Sequence, residues 1–361
     1  MSPARRADDE PPAGYAVTIG ETMALLRQLE AGPLQHATTL GLGIGGAESN
    51  VAIGLQRLGV PAAWVGRLGA DSLGELVIRQ IRGEGVLVKA VRDPDAPTGL
   101  MVKEHRSALD TRVWYYRAGL AGARLSPADI DLDLVREARL LHVTGITLAL
   151  SATAAGAVFD AVRVARKAGV PVSFDLNNRS ALWSRTAAQE AYRAMMPLAD
   201  IVFAGDDEAE IALGPTTAAT RAGTPGGRQD AAPQALQGAG HAAAAGDTDP
   251  FANGLRLARG LIALGAGEAV IKLGARGAAA VVAGAEYRQQ AVPVPVVDTV
   301  GAGDAFVAGY LAELLAGAPV ATRLHTAATA GAYVCTVAGD WEGLPRRDEL
   351  ATLGSGDPVS R

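Results

Sequence analysis

A single cysteine in 361 residues excludes a disulfide framework. That residue, Cys335, lies in "AGAYVCTVAG", whose small apolar neighbours favour a buried thiol over a reactive one. No stretch reaches the roughly 18 consecutive apolar residues that a bilayer-crossing helix needs. Blocks of like charge are absent too. The 33 basic and 38 acidic residues are interspersed and leave a net charge of −5, which argues against a nucleic-acid or membrane-surface footprint. The opening "MSPARRADDEPP" lacks the apolar core of a signal peptide, so residues 1–14 are expected to be a disordered tail on a cytoplasmic protein. No internal repeat is evident. What the chain has in quantity is apolar side chain, 49% of residues, enough for one large core or two smaller ones.

The apolar residues come in short strand-like runs, each followed by a helical segment. "YAVTIGE" precedes the helix "ESNVAIGLQRLG", closed by Gly59, and "AAWVG" precedes a helix capped by Asp71. "LLHVTGI" leads into 151–168, "VPVSFDL" into 187–196 and "DIVFA" into 206–213. Strands alternating with helices predict an α/β fold with a mostly parallel sheet covered on both faces. Two segments break the rhythm. Residues 87–118 hold the runs "LVKAV", "TGLMVKEH" and "TRVWYY" with no helix between them, and read as a small antiparallel β flap inserted in the fold. Residues 214–250, dominated by Ala, Gly, Pro and Thr, cannot build a core and are expected to be a disordered insertion.

The chemistry concentrates in "DTVGAGDAF", residues 298–306. The segment from Asp304 onward is apolar almost all round, which predicts a buried helix ending at Gly317. Gly301, Ala302 and Gly303 then lie at its N-terminus, where backbone N–H groups have no intrahelical acceptor and the helix dipole favours negative charge. Small residues let an anion approach, and such a turn suits the charge that develops in phosphoryl transfer. Asp304 in the first helical turn could accept a proton from an attacking hydroxyl. A lone G-A-G-D is equally compatible with a tight loop and a favourable first-turn acid, so its neighbours must decide. "GLGIGG" at 41–46 satisfies G-x-G-x-x-G but follows a poor strand, "LQHATTLG". The strand after it ends in Gly66 and Arg67 rather than an acid, against a dinucleotide fold.

"GGAESNVAIGLQRLG" followed by "DTVGAGDAFVAGYL" resembles the two signatures of ribokinase-like, PfkB-type carbohydrate kinases. The resemblance runs from about Tyr15 to Leu344 without the 214–250 insertion. "IGETMALL", "TGLMVKE", "WYYRAGLAGARLSP", "HVTGIT", "SFDLNNRSALW" and "GDWEGLP" are similar, more narrowly, to 2-keto-3-deoxygluconate kinases. The resemblance implies a three-layer α/β/α core over 15–345, with a small β lid at 87–118 and a C-terminal tail at 346–361. It implies that Asp304 is the catalytic base and also touches the sugar, with Gly301, Ala302 and Gly303 as the anion hole. It implies nucleotide contacts from Lys272, Gly274, Gly277, Gly301 and Gly303. On the sugar side it implies Gly45, Gly46, Asn50, Tyr115, Arg117 and Arg179, the two arginines holding an acid group. ATP and Mg2+ follow as cofactors, with Asp298 and Val300 near a monovalent cation such as K+ in members that bind one.

The sequence departs from the family in places. The usual N-x-x-E that organises magnesium is "GDDE" here, so Glu208 remains as an indirect magnesium partner while Gly205 replaces the asparagine. Asn178 and Met101 stand where similar kinases often have tyrosine. The expected activity is ATP-dependent phosphorylation of the primary hydroxyl of 2-keto-3-deoxygluconate. The rivals are a kinase for a neutral ketose or nucleoside and a non-catalytic sugar or nucleotide sensor. Because such a lid often doubles as a dimer interface, a homo-oligomer is a further expectation.

Overall fold

The computed structural model describes residues 11–107, 110–214 and 249–353. The chain begins in the middle of a large sheet with β1 (Ala16–Ile19), then leaves it for β2 (Met23–Gln28) and β3 (Leu40–Gly45), two strands of a second, smaller sheet. It returns through α1 (Ala47–Arg57) to β4 (Ala62–Gly69), α2 (Ser72–Gly83) and β5 (Leu87–Asp93), then completes the small sheet with β6 (Leu100–Ser107) and β7 (Asp110–Tyr116). A short helix α3 (Leu132–Arg136) leads into β8 (Leu140–Thr144), which pairs with β1 on the side away from β4. From there α4 (Gly145–Leu150), α5 (Ala152–Ala168), β9 (Val172–Asp175), α6 (Arg185–Met195), β10 (Ile201–Gly205) and α7 (Asp206–Leu213) extend the parallel sheet outward. After α8 (Pro250–Ala263) come β11 (Glu268–Lys272) and the antiparallel strands β12 (Ala278–Val282) and β13 (Ala285–Gln289). Helices α9 (Ala302–Leu315) and α10 (Val320–Val334) close the fold.

The large sheet has nine strands in the order β13-β12-β11-β10-β9-β8-β1-β4-β5. Alternate strand residues feed opposite layers, as the two-residue period requires. Val17, Val65, Val143, Phe174, Val202 and Ile271 pack with α3, α5, α6, α7 and α8. Ala16, Trp64, Leu140, Phe203 and Val270 pack with α1, α2, α9 and α10. The expected three-layer α/β/α architecture is therefore present. Helix α9 is buried along most of its length, and Phe203 meets its Phe306 and Tyr310 edge-on, at ring-centroid distances of 6.5 and 5.3 Å.

The 87–118 flap needs correction. Its first strand, β5, pairs in parallel with β4 in the large sheet, because α2 supplies the crossover of a βαβ unit. The small sheet recruits β2 and β3 instead, in the order β3-β2-β6-β7, and it is mixed: β2 and β6 run parallel. The stretch read as a poor strand, 34–41, forms no strand over most of its length, but the glycine-rich residues 40–45 do form one, because pairing with β2 overrides their weak propensity. Most of the 214–250 insertion lies outside the described residues, but its ends are structured, Gly214 closing α7 and Asp249 capping α8 through Phe251 N–H at 3.0 Å. Residues 11–14 turn into β1, and beyond 345 Arg347 is anchored to Leu58 O at 2.8 Å and to Glu313. Cys335 is only half-buried. Among the described residues no helix is long and apolar enough to cross a membrane.

Candidate active site

The chain travels outward from β1 in both directions, so the sheet has a switch point at the β8–β1 junction, the place where open α/β sheets leave a crevice at their carboxyl ends. Glu21 follows β1, Ile146 follows β8, and Asn177 and Arg179 follow β9. With Asp175, Gly205, Glu208 and Lys272 at the ends of β9, β10 and β11, they line a cavity of about 590 Å3. The small sheet roofs it with Met23, Leu25, Met101, Val113 and Tyr115, and residues 298–301, Gly303 and Asp304 form the remaining wall, which Ala302 does not line. Gly45, Gly46, Asn50, Arg117 and Asp298 line the same space, so sites spread over the sequence converge on it. Gly274 and Gly277 do not line it; they shape the turn from β11 to β12 with φ of +58° and +105°.

Gly301 holds the position before α9 with φ +78°, and a Cβ there would sit 2.0 Å from the carbonyl oxygen of Asp340. Only glycine fits both demands. The N–H groups of Gly301 and Gly303 are left without intrahelical acceptors by the helix start. The Ala302 N–H already donates to Thr299 O at 3.3 Å, so the expected anion hole loses one of its three donors to the turn itself. Burial raises the Asp304 carboxyl above the usual aspartate range, against the opposing pull of Asn50, Lys272 and Arg179. Asn50 projects from α1, and its Nδ2 donates to Asp304 Oδ2 at 2.8 Å and to Asp340 Oδ1 at 3.4 Å.

Asp340 and Glu48 are functional candidates that the sequence reasoning missed. Burial, and then the neighbouring Asp304, push Asp340 up to about 7. Burial likewise holds Glu48 at about 7, although Thr144 and Thr147 donate to its Oε1 at 2.7 and 2.5 Å. Their quoted motifs, "GDWEGLP" and "GGAESN", were visible; that both acids would crowd one buried wall with Asp304 was not. The glycines around them are space-makers. A Cβ on Gly45 would fall 1.7 Å from Asp340 Oδ2, and one on Gly46 2.4 Å from Glu21 O.

On the other wall Lys272 Nζ donates to both oxygens of Asp175 at 2.8 and 2.7 Å. Burial disfavours the ammonium, but Asp175 and Glu208 more than offset it and the net shift is upward. Asp175 itself is pushed up to about 6, chiefly by burial. Glu208 accepts from Gly205 N–H at 2.7 Å and Asn178 N–H at 2.8 Å, so backbone amides fix this carboxylate without the missing asparagine. Asn178 plays a structural part, accepting from Trp183 Nε1 at 3.0 Å and Tyr192 OH at 3.1 Å. Asn177 takes the left-handed backbone (φ 37°) that turns the chain after β9 toward Arg179.

The two arginines are not equivalent. Arg117 lies over the Tyr115 ring, 5.6 Å from its centroid, and pairs with the buried Glu21. Arg179 donates to Asn178 O at 3.3 Å and, among the described residues, makes no ion pair. Asp298 Oδ1 accepts from Val300 N–H at 3.2 Å, and its Oδ2 is met by Lys103 from β6, another residue the sequence did not single out.

The model of the pfkB family carbohydrate kinases matches residues 13–347. The chain is 34% identical to a 2-dehydro-3-deoxygluconokinase of Bacillus subtilis, covering 94% of each protein. It is 32% identical to a 2-dehydro-3-deoxygalactonokinase of Haloferax volcanii, covering 94% of this chain and 97% of that protein. A crystal structure of a PfkB protein from Polaromonas sp. JS666, 33% identical, superposes with a TM-score of 0.76 over 94% of this chain and 99% of that one. With the family pattern running through nearly its whole length and the fold to match, the chain belongs to the pfkB family of carbohydrate kinases.

Proposed function

We propose that this ATP-dependent carbohydrate kinase acts on 2-keto-3-deoxygluconate, with Asp304 as its base. The observation that carries the substrate is Arg179, a cavity-lining guanidinium with no carboxylate partner among the described residues. Its planar fork suits the two oxygens of a sugar acid. Glu21 already balances the charge of Arg117, so Arg117 contributes directional N–H groups rather than an open positive charge. The names of the Bacillus and Haloferax relatives support a 2-keto-3-deoxy sugar acid.

In this reading the sugar carboxylate rests on Arg179 and the primary hydroxyl at the far end faces Asp304. Asp304 takes the hydroxyl proton as the oxygen attacks the γ-phosphorus in line; the new O–P bond forms as the bond to the departing ADP breaks. Gly301 and Gly303 N–H groups and the α9 dipole receive the charge that develops on the phosphoryl oxygens. Lys272 adds a fixed positive charge held in place by Asp175. Glu208, its two oxygens fixed by the Gly205 and Asn178 amides, is the residue that would help hold a magnesium ion brought in with the nucleotide. Such an ion would neutralise phosphate charge. The apolar roof of Met23, Leu25 and Met101 keeps water from competing with the sugar.

The test is kcat/KM for 2-keto-3-deoxygluconate, its C4 epimer, fructose and ribose, with wild type and Arg179→Ala. The acid sugars should lead by on the order of 10²–10³, and the variant should lose most of that lead. Equal losses on all four sugars, or a wild-type preference for fructose or ribose, would remove the acid-sugar assignment and leave the kinase intact.

A further inference from the structure

The position beside Asp298, where the family resemblance implies a monovalent cation, is already supplied with a positive charge by this chain. Lys103 reaches across from β6 of the small sheet to Asp298 Oδ2, and its Nζ also donates to Gly339 O at 3.3 Å. Both side chains are almost fully buried, at 4% and 8% exposure. Gly339 N–H approaches the same Asp298 oxygen at 3.5 Å, and Val300 N–H holds the other at 3.2 Å. A carboxylate and a backbone carbonyl around a buried monovalent charge are the oxygen ligands that hard cations take. An ammonium has the charge of K+ and nearly its size. Two positive charges cannot share these oxygens in a buried site without strong repulsion.

We propose that Lys103 is a built-in replacement for the monovalent cation and makes this kinase independent of K+. The consequence reaches beyond ion preference. Asp298 opens the turn that leads to the anion-binding start of α9, while Lys103 belongs to the sheet that carries Met101 and Tyr115 over the sugar. One buried ion pair thus ties the sugar-side sheet to the phosphate-side turn. Lys103 is a positioning residue, acting through Asp298 and the turn rather than on the reactants.

The proposal rests on the kinase reading for the role of the turn, but its test needs no sugar and survives a wrong sugar assignment. ATP affinity by calorimetry and Tm are measured for wild type, Lys103→Ala and Lys103→Met as K+ replaces tetramethylammonium at a constant ionic strength of about 0.1 M, so that general screening stays fixed. Wild type should show no K+-specific change in either quantity. Lys103→Ala, which leaves room for an ion, should bind ATP about 10-fold more weakly in tetramethylammonium and recover as K+ saturates the vacated oxygens, with a parallel rise in Tm. Lys103→Met keeps the apolar stem and should fold even where the alanine variant does not, showing the same loss with less recovery. A saturable, K+-specific gain in the wild type would overturn the proposal. So would loss of ATP affinity in both variants with no response to K+, since the lysine would then be serving as something other than a cation.

Discussion

Replacing Asp304 by asparagine separates chemistry from stability in a way this site makes unusually sharp. The side chains have the same shape, and the amide oxygen of an asparagine can accept the Asn50 Nδ2–H that now lies 2.8 Å from Asp304 Oδ2. What disappears is the proton acceptor. General-base catalysis contributes about 10²–10⁴ in rate, or roughly 3–5 kcal/mol of barrier at 1.36 kcal/mol per decade. The same change relieves the fold. Burial penalises the Asp304 carboxylate, and its charge helps to push Asp340 up to about 7. Removing one of these crowded acids should stabilise the protein and raise its Tm. The expected variant therefore has kcat down by two to four decades, near-normal ATP affinity and a Tm at or above that of wild type, the usual trade between stability and activity. Coupled-assay kinetics, calorimetry with ATP and thermal melting check the three parts. Near-normal turnover would refute the assignment of the base. A Tm several degrees lower would show that the carboxylate is a structural partner, and would undercut the view of this wall as strained by like charges.

Arg117→Ala should act through Glu21: stripping the partner from a buried carboxylate costs about 3–5 kcal/mol, so Tm falls and activity drops on every sugar. Adding Glu21→Gln should recover much of the Tm, and a failure to do so would mean the pair does not carry the loss. Gly301→Ala forces an L side chain into φ +78° and against Asp340 O, so it should cost at least about 1–2 kcal/mol and lower kcat as the start of α9 shifts; an unchanged Tm would contradict the geometry. Asp340 and Glu48 have folded pKa values of about 7, above their ordinary carboxyl range, so their contribution to stability is present below about pH 4 and is lost as pH rises through 7. In urea titrations Asp340→Asn should gain on wild type between about pH 5 and pH 8, and a gap that stays constant with pH would show the carboxyl to be unshifted.

Much of this fold was legible in one dimension. A run such as "YAVTIGE" is buried on both faces and has few alternatives to a central parallel strand, and the all-round apolarity from Asp304 to Gly317 predicted a buried helix before any contact was known. The turn chemistry was less local. Gly301 to Asp304 read as a helix start whose unpartnered N–H groups suit an anion, but it took the neighbouring motifs to single that turn out from an ordinary tight loop. The tertiary structure decided what depends on pairing between distant segments. β5 joined the large sheet because α2 brought it beside β4, and glycine-rich 40–45 became a strand because β2 offered its edge. Charge balance was likewise invisible in sequence. Arg117 and Arg179 read alike, but only one of them meets a buried glutamate across the cavity. Lys103 read as an ordinary strand residue until folding placed its ammonium on a carboxylate 195 positions away. A side chain's type is written locally, whereas its pKa, its partner and the charge it leaves for a ligand are set by whatever the rest of the chain packs against it.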